Sequence, residues 1–162
     1  MRELCRSATF PTCKAPPIPT AMNDPLYTRD ILRLAASIPG QVGFAALADV
    51  VEVRSPTCGS RLAMQVTLDR EGRVASLTQA VEACAFGQAA AAIVGGSATG
   101  VNEAQAAVAL AEVEAWLAND TAPLPAWPGM VALIPARAKR WRHGAILLPF
   151  RALKEAIRVA AA

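Results

Sequence analysis

The sequence predicts an α+β fold, a three-stranded antiparallel sheet covered by helices, from three observations. Arg61 to Asp69 alternates, with Leu62, Met64, Val66 and Leu68 on one side and Ala63, Gln65 and Thr67 on the other. That two-residue period is the signature of a half-buried strand. Asp69-Arg70-Glu71-Gly72 is a tight turn into a further alternating run, Val74 to Val81, so the two runs pair as a hairpin. From Cys84 onward the period becomes helical, and a run of strands followed by a run of helices folds into separate layers.

Taken in order, the folded part begins at Asn23-Asp24-Pro25, a capping residue followed by proline in the first helical position. Leu26, Ile31, Leu32, Leu34 and Ala35 continue it at helical spacing until Pro39-Gly40 ends it. Phe44 to Asp49 is an apolar connection, and Val50-Val51-Glu52-Val53 is the first strand, broken by Ser55-Pro56. A meander with Cys58 in its first connection results. Beyond Cys84, Ala85 to Val94 forms a helix that Gly95-Gly96 stops. Asn102 caps the next helix, with Ala106, Val108, Leu110, Val113 and Leu117 at helical spacing up to Asn119-Asp120. Thr121 to Gly129, with three prolines, is a loop in which Trp127 anchors to the core. A last helix runs from about Leu148 to Ala160, its Leu148, Leu153, Ile157 and Val159 facing inward.

A chain of 162 residues is long enough for one domain with a proper core. Hydrophobic residues at 54% against 18% charged ones exclude general disorder. Residues 1–21 differ from the rest: Pro16, Pro17 and Pro19 forbid a helix or central strand, and the segment reads as a disordered extension ahead of a domain at 22–162. Its Cys5 and Cys13 are open candidates for extra metal ligands. Arg2, Arg6, Lys14 and Glu3 give that segment +2 of the net charge of +3. The body is therefore left near neutrality, which argues against a general nucleic-acid binder. The cysteine spacing is not a disulfide framework, so a reducing, cytoplasmic compartment is expected. No apolar run is long enough to cross a bilayer.

A meander returns to its starting end at every second crossing, so Cys58, after the first strand, and Cys84, after the third, meet at one rim of the sheet. At a helix N-terminus the free backbone amides favour the Cys84 thiolate, and with it ligation or nucleophilicity. A small buried residue packing the helix start is the competing reading of the same cysteine. The segment Arg137 to Arg142 is strongly basic and reads as a docking surface for an acidic protein partner or as a solvated loop.

These segments carry a resemblance. Ser55-Pro56-Thr57-Cys58-Gly59-Ser60-Arg61-Leu62, the strand pair, Glu82-Ala83-Cys84-Ala85-Phe86-Gly87-Gln88-Ala89, and the terminal Arg142-His143-Gly144-Ala145-Ile146-Leu147-Leu148-Pro149-Phe150-Arg151-Ala152-Leu153 resemble the iron–sulfur cluster scaffold family of IscU, SufU and the NifU N-terminal domain. The likeness covers most of Asn23 to Val159. It implies that family's α+β fold and a non-enzymatic scaffold or carrier. Iron and sulfide, or a 2Fe–2S cluster, would sit transiently on Cys58 and Cys84, with sulfur from a cysteine desulfurase and delivery to apo acceptor proteins.

The chain also departs from the family. Ser60 stands where the pattern Cys-Gly-Asp has its carboxylate, and matching the terminal segment puts Ala145 at the third cysteine. The family's chaperone-recognition motif is not recognisable in Ile134 to Lys139. His143, the one histidine of the chain, lies two residues before Ala145. Two thiolates and an imidazole suit the soft-ligand preference of iron–sulfur clusters and of zinc, so His143 and Ser60 are further candidate ligands. Ser60 is the weaker, since a hydroxyl binds metal poorly at neutral pH and more often holds a loop. Gln88, one turn into the helix, is placed to donate to a thiolate sulfur. The missing groups motivate an alternative, a degenerate homologue acting as a zinc-holding or protein-interaction module. A thiol enzyme with Cys84 as nucleophile finds no base nearby in the sequence and ranks last.

Overall fold

The protein was analysed as a computed structural model, which describes residues 27–47, 50–56 and 59–162. Strands β1 (Val51–Arg54), β2 (Arg61–Leu68) and β3 (Val74–Glu82) form one antiparallel sheet in the order β1-β2-β3. The expected meander is therefore present, with the first strand shifted by one residue. The β2–β3 turn is fixed by Asp69, whose Oδ1 accepts the backbone N–H groups of Glu71 and Arg73, while Gly72 takes φ +72°.

Register explains which face of β3 looks inward. Thr67 pairs with Ser76 but Leu68 pairs with Val74, so a bulge leaves Ala75 without a partner. One extra residue shifts the phase of the alternation. Val74 consequently shares the inward face with Leu77, Gln79 and Val81, and Ala75 and Ser76 are exposed. On the opposite face Leu47, Ala63 and Ala80 make a small second cluster with Val42, Phe44 and Val50.

Helices α1 (Arg29–Ala35), α2 (Ala85–Ser97), α3 (Glu103–Ala118) and α4 (His143–Ala161) cover the inward face. Three boundaries differ from the sequence reading. Helix α1 begins at Arg29, because Thr28 is extended and its Oγ1 accepts the Ile31 N–H; Asn23-Asp24-Pro25 lies outside the described residues. Helix α2 runs through Gly95-Gly96 to Ser97; Gly95 serves packing, while a side chain on Gly96 would meet open space. A Cβ on Gly95 would stand 2.5 Å from Gln79 Nε2 and 3.2 Å from the Pro39 carbonyl oxygen. Helix α4 starts at His143, five residues before Leu148, and carries Pro149 inside. The missing proline donor is tolerated where Ile146, Leu148, Phe150 and Leu153 are all buried around it.

The capping of α3 is as read: Asn102 and Gln105 form a reciprocal capping box. Trp127 also anchors as expected, with Nε1 donating to the Ile93 carbonyl at 3.4 Å and an edge contact to Phe150. One inward assignment is overturned: Val159 is 50% exposed. Of the residues at helical spacing on α3, Val108 is 58% exposed, and Trp116, which is not among them, is buried.

Gln79 ties the layers together. It is 0% exposed, and its Nε2 donates to the carbonyls of Pro39 at 2.9 Å and Ala91 at 3.2 Å. Gly95→Ala should therefore destabilise the protein, although alanine favours the helix by about 1 kcal/mol. Displacing Gln79 leaves buried polar groups unpaired at about 1–3 kcal/mol each. Urea denaturation should show a lower midpoint in the variant; an unchanged or higher midpoint would contradict this packing.

Candidate metal centre

Three segments converge at the end of the sheet where β2 begins and β3 ends. The first is the connection from β1 to β2, closed at its base by the Ser55 N–H donating to the Ser60 carbonyl at 2.8 Å. Gly59, at φ +66°, adopts a backbone conformation that favours glycine there. Cys58 itself lies outside the described residues, as does Thr57.

The second segment is Cys84. Arg61 opposes Glu82 in the ladder, so the residue after Ser60 and the residue two before Cys84 are cross-strand neighbours. Cys84 is the N-cap of α2, half-buried, with extended backbone (φ −66°, ψ 167°), and its carbonyl accepts the Gln88 N–H. Among the described residues Gly59, Ser60 and Cys84 lie toward the same end of the sheet, while the expected meeting of Cys58 with Cys84 falls outside the described residues.

The third segment is the first turn of α4. A Cβ on Gly87 would be 2.7 Å from Ala83 Cβ and 3.1 Å from Ala145 Cβ, so only a residue without a side chain lets α2 and α4 approach this closely. Ala145 is fully buried in that contact. His143, the first residue of α4, is half-buried, and its Nε2 lies 2.7 Å from the Arg137 carbonyl oxygen. A carbonyl only accepts, so Nε2 carries the hydrogen, and in the neutral ring Nδ1 then keeps the lone pair.

Ser60 is buried and its backbone closes the loop; Gln88 is half-buried in the first turn of α2. Among the described residues, no three His, Cys, Asp or Glu side chains group to hold a metal ion. A three-ligand set built on this rim would therefore need a ligand from outside the described residues. The donor chemistry, thiolate with imidazole, fits zinc and iron–sulfur species.

Arg61 makes a two-pronged ion pair with Glu82, at 2.7 and 2.8 Å, and stacks over Phe44 at 4.0 Å from the ring centre. The basic run is less free than its sequence suggests. Arg137 is not available for docking, because its guanidinium Nε donates to the Trp116 carbonyl at 3.0 Å and its terminal nitrogen to those of Asn119 and Ala122. Sequence reasoning missed this role; the signal was Asn119-Asp120 ending a helix whose last carbonyls need donors. Arg140 and Trp141, the latter 60% exposed, remain at the surface.

The architecture matches solved structures. A nitrogen-fixing NifU-like protein (N-terminal) from Brucella abortus superposes with a TM-score of 0.73 at 26% identity, covering 84% of this chain and 94% of its own. The fold is that of the NifU/SufU scaffold proteins. A protein described as an iron–sulfur cluster assembly scaffold for the SUF system of Fervidobacterium islandicum AW-1 shares this scaffold fold with a TM-score of 0.65 at 15% identity, covering 82% and 96%. A further crystal structure, of a hypothetical protein, gives 0.64 at 22% identity, covering 80% and 94%. No protein-family model and no curated protein sequence matches the chain. None of the described helices is long and apolar enough to cross a membrane.

The Glu82 carboxyl at this rim of the scaffold fold is held below the usual carboxylate range, first by the hydrogen bond from Arg61 and then by its charge. A depressed folded value gives stability that is present above the unfolded carboxylate pKa of about 4.3 and is lost as pH falls through the folded value. Glu82→Gln should thus be less stable than the parent at neutral pH, with the gap closing in acid. Thermal melts of both proteins from pH 7 downward check this; a gap that persists in acid would assign the loss to packing.

Proposed function

We propose that the protein is an iron–sulfur cluster assembly scaffold or carrier, holding iron and sulfide or a 2Fe–2S cluster as cargo on Cys58 and Cys84. The observation that carries the reading is the placing of Cys84 at the start of α2, on the rim where the Ser55–Ser60 connection closes, within a fold shared with the NifU/SufU proteins. A cargo to be handed on is best held by incomplete ligation, because the acceptor must displace the donor's ligands. His143 is the third ligand in this reading, presenting Nδ1 while Nε2–H is held by a backbone carbonyl, the usual arrangement of a metal-bound imidazole. Ser60 serves the loop, and Gln88 stands one turn from the Cys84 sulfur. The carrier makes and breaks metal–sulfur bonds without other catalysis. Its partners are a cysteine desulfurase and apo acceptor proteins.

One observation favours a second reading. Ala145, at the position of the family's third cysteine, is sealed against Gly87, so the rim lacks that thiolate and a four-ligand cluster site cannot be completed by the described residues. A degenerate homologue that holds zinc or docks a partner accounts for this equally.

Anaerobic reconstitution with iron and sulfide separates the two. The scaffold reading expects thiolate-to-iron charge-transfer absorption that falls to background in Cys58→Ser and in Cys84→Ser, with transfer to an apo ferredoxin. Colourless protein carrying one zinc per chain would replace it with the zinc reading. Metal bound equally by both serine variants would remove the cysteines from the site.

A further inference from the structure

We infer that Arg137 is a positioning residue for His143, fixing the imidazole in its Nε2–H form so that Nδ1 is the atom turned to a ligand. The inference rests on the reading of His143 as a ligand for its functional sense, but its structural content stands on separate observations. Arg137 is helical in backbone (φ −57°, ψ −42°) at the end of the 3-10 segment Met130–Ala136. Its side chain reaches back to the C-terminal end of α3, where three backbone carbonyls, of Trp116, Asn119 and Ala122, accept from the guanidinium. The same group lies over the Trp116 ring, 5.2 Å from its centre.

The Trp116 and Asn119 carbonyls belong to the end of a helix that leaves its last acceptors without intrahelical donors, and the Ala122 carbonyl to the turn that follows it. A planar fork with several N–H groups in fixed directions satisfies them together, which a lysine ammonium on a flexible stem cannot reproduce. The guanidinium therefore fastens the backbone of residue 137 to α3. That backbone carries the carbonyl oxygen that accepts from His143 Nε2 at 2.7 Å. The intervening chain is short and itself tied: the Lys139 N–H donates to the Ala136 carbonyl at 2.9 Å and the Arg142 N–H to the Lys139 carbonyl at 2.8 Å. The end of α3, the turn and the first residue of α4 thus form one hydrogen-bonded relay, with the imidazole as its last member.

A free histidine interconverts between two neutral forms, and only the form protonated at Nε2 offers Nδ1 as a donor atom. Partners that fix the form of a ligating imidazole typically change metal affinity by about 10- to 100-fold when lost. Here the accepting atom is backbone and cannot be removed by substitution, so the side chain that anchors it is the place to test.

The experiment is 15N NMR of the imidazole in metal-free full-length protein, at a pH where the ring is neutral. It uses the parent, Arg137→Ala and Arg137→Lys, with zinc affinity measured against a chromophoric chelator and His143→Ala as reference. The parent should show the Nε2–H form, both Arg137 variants a mixture, and zinc should bind about tenfold more weakly in Arg137→Ala. An Nδ1–H form in the parent overturns the proposal even if neither variant folds. So does a folded Arg137→Ala that keeps the parental ring spectrum. If the ring form changes while His143→Ala binds zinc like the parent, the relay stands and the ligand role of His143 falls.

Discussion

The structure depends on how closely α2 and α4 approach at their first turns. Gly87 faces Ala145 with no room for another carbon, and Ala89, Ala90, Ala152 and Ala156 further along the two helices are all buried. Small side chains bring two backbones near each other, and that nearness carries the start of α4 to the rim where Cys84 opens α2. Bulkier residues on this seam would separate the ends of the two helices and draw the start of α4 away from the rim without any change in secondary structure.

Beneath that seam the sheet supplies the second constraint, its register. The Arg61–Glu82 pair closes the ladder at the rim, and the bulge at Ala75 adjusts the far end so that β3 presents Val74 as well as Leu77 and Val81 inward. Gln79, buried between the sheet, α2 and the Pro39 carbonyl, gives the layers one mutual orientation where a purely apolar contact would leave several. The rim is consequently held from three sides, by ladder, by helix seam and by the relay running from α3 through Arg137.

Much of this was legible along the chain. Alternation located β2 and β3, Asp69-Arg70-Glu71-Gly72 located their turn, and Asn102 located the start of α3, because each signal is local: a two-residue period, a side chain capping amides three residues on, a glycine at positive φ. The helix ends were less legible. Gly95-Gly96 looks like a stop and is interior, since the contact that demands glycine is with Gln79 across the layers. Pro149 looks like the opening of a helix and lies in its seventh position, since the burial around it outweighs one lost donor. Arg137 looks like a solvated cation and is a helix cap, because its acceptors lie at the end of another element.

By itself the sequence determined the meander, the helical layer after it and the cysteine that caps α2, because these follow from periodicity and from backbone groups a few residues apart. Only the tertiary structure decided that Ala145 is sealed against Gly87, that His143 is tied through Nε2, and that the basic run is partly spent on α3. The physical reason is that close approach and hydrogen-bond partnership between distant segments depend on the distance between backbones, and no local pattern of residue types encodes that distance.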